Sequence, residues 1–397
     1  MNIFRTLGGA SNAPSLTNDK AVLGQMNFAF IDMGQGDCTI ISAPDNKVYI
    51  IDCGSSGGLD DKIFEKTKKL VRAWAGKNPV TMIMTHPDKD HYNKFLALLG
   101  TSKPQVDVGA VYFSRAVSDK SPWGNYKETA LMRNIRFFGS PLLVEVTLNK
   151  TQHFVKKWLS LFDYKDAIEQ DIPATGHVIA SGVAGGKNWS ISIIAGNVKT
   201  TSKSPSTISN VASLCTLARV EDDKILLTGD STVETMAYLL ENHPTRIEKV
   251  DIFQVPHHGS DSSLPTTAFK NKVNPYTLLV SVGFLINGYN LPRNTVLQSW
   301  LTCPKLRVID RVIDSWVAGA DGYESYKDLN KLLEGKWSKY KVNHNSSSTF
   351  FWLADPDDGV KSGTGFFGFT RDGYFIYREA IKKDLYLTGL LGSWVDE

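Results

Sequence analysis

The chain has 397 residues and a net charge of +3, with 42% hydrophobic, 11% aromatic and 21% charged residues. That is material for one large or two ordinary domains with proper cores, and it excludes a wholly disordered or collagen-like polymer. No run approaches ~18–20 consecutive apolar residues, so a membrane-spanning helix is excluded, and the near-neutral charge decides nothing about nucleic acid.

Residues 1–25 are rich in Gly, Ser, Asn and Pro and read as a flexible N-terminal arm without the apolar core of a secretory signal. From Met26 the pattern predicts a strand around Phe28 and Phe30, a Gly-rich turn at Gly34 and Gly36, a second strand at Thr39–Ile41 and a third at Val48–Ile51, with Asp52 at its end. Ile63, Leu70, Val71 and Trp74 share one helical face, with Lys62, Lys66, Lys68 and Arg72 elsewhere. Pro79 then opens the buried strand VTMIM, which runs into THPDKDH.

The stretch 104–205 is poorly patterned and reads as an insertion. Its GVAGGKN segment lacks the spacing of a phosphate-binding loop. Strand-and-helix rhythm returns with Lys224–Leu227 ending in TGD, a helix over Thr232–Leu240, Val250–Val255 ending in PHHGS, a strand at Tyr276–Val282 and a helix near Thr295–Leu301. Residues 306–397 read as a C-terminal extension, whose final hairpin is a candidate to complete the fold as its last strands. The run KDLNKLLEGKWSKYK fits contact with nucleic acid and a solvated amphipathic helix about equally. FFGFTRDGYFIY reads as a hairpin turning at Asp372-Gly373. Cys38, Cys53, Cys215 and Cys303 form no CxxC pair, as expected of buried thiols in a reducing compartment, so the expected location is cytoplasmic.

Chemistry concentrates in three places. His86-Pro87-Asp88-Lys89-Asp90-His91 packs four nitrogen and oxygen ligands into six residues after an apolar strand. Alone, a solvated loop rich in Asp and His would account for it. Gly229-Asp230 follows the strand KILLT, where a lone Asp is more often a helix cap. Pro256-His257-His258-Gly259-Ser260 follows IFQV, and a His pair alone is more often structural. The joint pattern is more specific, because four of the eight histidines fall in two motifs that each end a predicted strand.

The order HxDxDH, TGD, PHHGS resembles the metallo-β-lactamase superfamily, and within it the hydrolase domain of ComEC-like competence proteins. FIDMGQGDCTIISAPDNKVYIIDCG, SNVASLCTLARVEDDKILLTGDS and LLVSVGFLINGYNLP are similar to further family segments, so residues 26–305 are identified as the metallo-β-lactamase-like domain. The resemblance implies an αββα sandwich, two β-sheets flanked by helices, holding two divalent metal ions (Mn²⁺ or Zn²⁺, with Mg²⁺ as an option). It implies His86, Asp88 and Asp230 as ligands of the first ion, and Asp90, His91, Asp230 and His258 as ligands of the second. His257 is then expected beside the ligands or as a proton donor, with Asp90 and His257 the catalytic candidates. Two ions ~3.5–4 Å apart lower the pKa of a shared water toward ~7, and a carboxylate-rich donor set favours Mn²⁺ or Mg²⁺ over an all-imidazole zinc site. Asp32, Gln35, Asp37 and Asp52 fall on family positions that orient ligands or close turns; for Asp52 a plain turn cap is as good a reading.

Two departures stand out. The stretch Ser209–Ser213 has no histidine where the superfamily's third motif supplies one, which leaves Asn210, Ser213 or water for that position. Leu291 precedes Pro292 where ComEC-like members carry His. The family's membrane channel and OB module have no counterpart in these residues, so DNA uptake itself is not the expected task. The resemblance implies a phosphodiesterase or nuclease acting on DNA. The alternatives are a hydrolase of small esters or nucleotides, and a non-catalytic subunit with protein partners in a bacterial antiviral defence assembly.

Overall fold

The computed structural model describes residues 26–100, 105–114, 142–147, 168–281 and 291–303, except 32, 58, 60, 276 and 301, together with strands at 308–311, 341–345, 348–354, 374–379 and 385–389. The arm, the basic run before Lys341, Asp32, Asn287, Tyr289 and the turn at 372–373 lie outside the described residues.

The first sheet begins with β1 (Asn27–Ile31), β2 (Thr39–Ser42) and β3 (Val48–Ile51), an antiparallel meander. It continues in parallel through β4 (Val80–Met84), β5 (Val108–Ser114), β6 (Leu142–Thr147) and β7 (Ile168–Asp171). The second sheet runs from β8 (His177–Ala184) and β9 (Lys187–Ala195) through β10 (Cys215–Val220) to β11 (Asp223–Leu227), all antiparallel. Then β12 (Ile252–Gln254), β13 (Thr277–Val280) and β14 (Val308–Arg311) follow in parallel. The C-terminal residues extend both sheets. β15 (Lys341–Asn345) and β16 (Ser348–Ala354) join the second beside β14, and β17 (Tyr374–Glu379) and β18 (Leu385–Gly389) join the first beside β1.

Period-two alternation builds the layers. Along β3, Val48 and Ile50 face a helical layer while Tyr49 and Ile51 face the opposite sheet. The middle of the molecule is a sheet-on-sheet core, with Phe28, Phe30, Ile41 and Ile83 from one side and Trp189, Ile191, Ile225, Leu227 and Leu279 from the other. Outside the first sheet, α1 (Asp61–Ala75), the single turn α2 (Lys89–Tyr92) and α3 (Phe95–Leu99) bring Leu70, Val71, Trp74, Tyr92, Phe95 and Leu98 against Ile40, Ile50 and Met82. The short helix α4 (Pro205–Val211) precedes β10, its proline in the first turn where no amide hydrogen is needed. Outside the second sheet, α5 (Val233–Asn242), α6 (Thr267–Val273) and α7 (Asn294–Trp300) set Met236, Leu239, Phe269, Val296 and Trp300 on Leu226, Phe253 and Leu278. The result is an αββα sandwich, two mixed β-sheets flanked by helices, the architecture that the sequence resemblance implies. Among the described residues, no helix is long and apolar enough to cross a membrane.

The stretch 104–205, read from sequence as an insertion, carries β5 to β9. The pattern hides them for a physical reason. β8 is half-exposed along its length, so it shows no apolar run, and Gly109 interrupts β5. GVAGGKN is the hairpin between β8 and β9, where Gly185 and Gly186 take φ of 56° and 78° between the paired residues Ala184 and Lys187.

Candidate metal centre

The candidate residues are delivered by strand ends of both sheets. β4 hands on to Thr85 and His86, and β3 to Asp52; β11 hands on to Thr228, Gly229 and Asp230, β12 to Pro256, His257 and His258, and β13 to Ser281. β3 with β4, and β11 with β12 and β13, are parallel pairs, so their carboxyl ends open on one edge, where α/β sheets place ligands.

The chain reaches this edge through tight backbone. A Cβ on Gly36 would stand 2.1 Å from the Gly54 carbonyl oxygen, and one on Gly54 would stand 2.2 Å from the Asp90 carbonyl carbon. That contact lets the Asp37 amide donate to the Asp90 carbonyl at 3.1 Å and the Cys53 amide to the His91 carbonyl at 2.8 Å, fixing the HxDxDH turn against the first meander. Asp52, His257 and His258 adopt φ of 54°, 49° and 52°. A left-handed backbone costs a non-glycine residue about 1–2 kcal/mol, and such strain collects where side chains must be aimed. The His257 amide donates to the Gly229 carbonyl at 3.0 Å, tying the His pair to the Asp230 turn.

The side chains converge. His91 Nε2 lies 3.1 Å and His258 Nε2 3.4 Å from Asp230 Oδ1. His86 Nε2 lies 3.7 Å and His257 Nε2 3.6 Å from Asp230 Oδ2. Asp88 Oδ2 is 3.7 Å from His86 Nε2, and Asp90 Oδ2 is 3.7 Å from His258 Nε2. Every side chain singled out in the three motifs is therefore in one cluster. Leu291 instead packs beside the apolar layer of α5, α6 and α7.

Sequence reasoning pointed to Asp37 and Asp52 as positions that orient ligands or close turns, but missed Thr85, Gln254, Ser262 and Ser281, because a lone Gln, Thr or Ser carries no pattern. Asp52 Oδ1 accepts from the Thr85 amide at 2.8 Å; its Oδ2 accepts from the Thr85 hydroxyl at 2.6 Å and lies 2.8 Å from His91 Nδ1. Gln254 Oε1 accepts from the Thr228 amide at 2.8 Å while its amide donates to Asp37, so one side chain links the two sheets. His258 Nδ1 donates to the Ser281 carbonyl. The Ser209 hydroxyl donates to Asp88 at 2.9 Å, and His257 Nδ1 meets Ser262 Oγ at 2.6 Å.

The electrostatics call for positive charge. Burial disfavours a charge on His91, but the carboxylates of Asp230 and Asp52 on either side of its ring outweigh it and lift its pKa well above the imidazole range. Burial likewise opposes a charge on Asp230, yet His91, His258 and His257 hold its pKa well below the carboxylate range. Burial pushes Asp37 up to about 6, and burial lowers His257 from the usual imidazole value.

The donor set fits a metal centre. His86 Nε2, His91 Nε2, His258 Nε2 and Asp230 Oδ1 are buried without a hydrogen-bond partner, a costly state unless something else fills it. His86, His91 and Asp230 form one group able to hold an ion, and Asp90, His91 and His258 another. Ligands ~2.0–2.2 Å from a shared tetrahedral ion stand ~3.3–3.6 Å from one another, which is the spacing seen around Asp230. Asp88, Asp90 and His257 are the partly exposed members, so the cluster opens to solvent on their side.

No protein-family model matches the chain, and no curated protein matches it by sequence. Among solved structures it is similar to CmlA, a diiron β-hydroxylase from Streptomyces venezuelae, with 11% identity and a TM-score of 0.34. The match covers 80% of this chain and 52% of that one, so the chain spans about half the length of that protein.

Proposed function

We propose that the protein is a metal-dependent hydrolase with a dinuclear centre, acting on phosphodiesters, with DNA as its substrate. The observation that carries the reading is the set of buried, unpartnered imidazole nitrogens turned on one carboxylate, Asp230. His86, Asp88 and Asp230 would hold one ion, and Asp90, His91, Asp230 and His258 the other. When bound, a pair of divalent ions supplies hydroxide near neutral pH and neutralises charge on a phosphoryl group.

The chain's own residues do the positioning. Asp52 fixes the His91 ring from behind and, through the Thr85 hydroxyl, the His86 ring as well. Gln254 and Asp37 hold the Asp230 turn against the HxDxDH turn. The partly exposed side of Asp88, Asp90 and His257 leaves room for substrate. The ComEC-like order of motifs and the carboxylate-rich donors support a phosphodiester over a neutral ester.

The test is to purify the protein, count its ions by elemental analysis and incubate it with Mn²⁺ and labelled single- and double-stranded DNA. The expected result is two ions per chain and Mn²⁺-dependent cleavage, lowered about a hundred- to a thousandfold in Asp230→Asn. Two ions with hydrolysis of nucleotides or small esters but not of DNA would overturn the nuclease reading alone. Absence of bound ions after Mn²⁺ loading would overturn the hydrolase reading and favour a binding subunit.

A further inference from the structure

We infer that His257 is itself a metal ligand, the fourth donor to the ion held by His86, Asp88 and Asp230, and that it stands in for the histidine missing from residues 209–213. The inference rests on the metal-centre reading above and assigns one residue within it.

Asp230 is the axis of the argument. Its Oδ1 has two imidazole nitrogens beside it, His91 Nε2 at 3.1 Å and His258 Nε2 at 3.4 Å. Its Oδ2 also has two, His86 Nε2 at 3.7 Å and His257 Nε2 at 3.6 Å. Each pair has one further carboxylate, Asp90 beside His258 and Asp88 beside His86. Sorted by the Asp230 oxygen they face, the donors fall into two sets, Asp90, His91, His258 and Asp230 Oδ1, and His86, Asp88, His257 and Asp230 Oδ2, with His86 and His91 also close enough to share an ion with Asp230. Without His257 the second set has three protein donors and the symmetry about the carboxylate is lost. With it, both reach the four that a compact divalent site commonly uses.

Hydrogen bonding accommodates the tautomer that ligation needs. Ser262 Oγ has Ser260 Oγ 3.4 Å away to take its own proton, which lets it accept from His257 Nδ1–H at 2.6 Å. In that arrangement the bare nitrogen is Nε2, the one facing Asp230. The other three rings follow the same rule. His258 Nδ1 can only donate to the Ser281 carbonyl, and His91 Nδ1 meets the Asp52 carboxylate at 2.8 Å. His86 Nδ1 meets Thr85 Oγ1 at 3.0 Å, whose proton is already given to Asp52. Metal-bound histidines characteristically donate their other ring N–H in this way. The Asn210 amide nitrogen lies within hydrogen-bond distance of both nitrogens of His257, at 3.4 and 3.3 Å, so an ion bound at Nε2 would take the place of that contact.

The experiment titrates metal-free full-length protein with Mn²⁺ alone, by calorimetry and electron paramagnetic resonance, in wild type, His257→Ala, His257→Asp and Ser262→Ala. Wild type is expected to take two ions with the broadened signal of a spin-coupled pair. His257→Ala should keep one ion at wild-type affinity, bind the other at least ~100-fold more weakly and show the six-line signal of isolated Mn²⁺. His257→Asp, which keeps a donor but no imidazole, should restore the second ion, and Ser262→Ala should weaken it by ~10-fold or more. If His257→Ala binds two ions as tightly as wild type, the inference is overturned while the metal centre stands. If wild type binds none, the metal centre falls with it. Should His257→Ala be unfolded by circular dichroism, the Ser262→Ala titration decides, and unchanged affinity there counts against the assignment.

Discussion

Asp52 shows how much a single residue can carry behind a site. It is fully buried, holds a left-handed backbone and serves Thr85 and His91 at once. Asp52→Asn preserves shape and tolerates that backbone, but one acceptor becomes an amide that cannot take the His91 hydrogen. Mn²⁺ should then be held ~10–100-fold more weakly, measured by competition with a chromophoric chelator. Gly54 makes the converse point. Any Cβ there meets backbone rather than a movable side chain, so Gly54→Ala should destabilise the fold by about 3 kcal/mol or more, read from urea unfolding. The motif residues were legible because their chemistry is contiguous, four donors in six positions and two adjacent histidines. Gln254, Thr85, Ser262 and Ser281 were not, since each does its work across the fold and looks locally like any polar residue at a strand end.

At the scale of elements, legibility followed burial. β3, β4, β10 and β11 are covered on both faces, so they read as apolar runs, and α1 showed its face through spacing. β8 sits at a sheet edge with a half-exposed pattern, and the segment around it read as an insertion for that reason. Helix α5 ends on His243, a buried ring whose amide donates to the Leu239 carbonyl. Burial, with Arg246 nearby, lowers its pKa, so the folded state keeps it neutral. The unfolded chain binds the proton more readily, and this contribution to stability is therefore full above ~6.5 and lost as the pH falls below it. His243→Leu should flatten the fall in urea midpoint between pH 7.5 and 5 relative to wild type, the difference between the two curves isolating this residue. The helical layer over the second sheet is centred on Trp300, fully buried with its ring centroid 4.8 Å from that of Phe253 and 6.3 Å from that of Phe269. Trp300→Ala should cost about 3–5 kcal/mol, measured by chemical unfolding.

Taken whole, the molecule is two sheets that meet at a charged rim. One contributes His86, Asp88, Asp90 and His91, and the other Asp230, His257 and His258. Bound ions would clamp the halves, so chelation should lower the melting temperature by about 5 °C or more, with recovery on adding Mn²⁺ back. The strands after residue 303 matter to the same rim, because β14 flanks β13, which leads to the Ser281 carbonyl that aims His258. The division of donors between the halves also imposes a schedule on biosynthesis. A ribosome releases the HxDxDH loop long before the PHH turn exists, and until the second sheet has docked the early loop offers a cation only half a nest. Any loading would thereby be deferred to the close of folding.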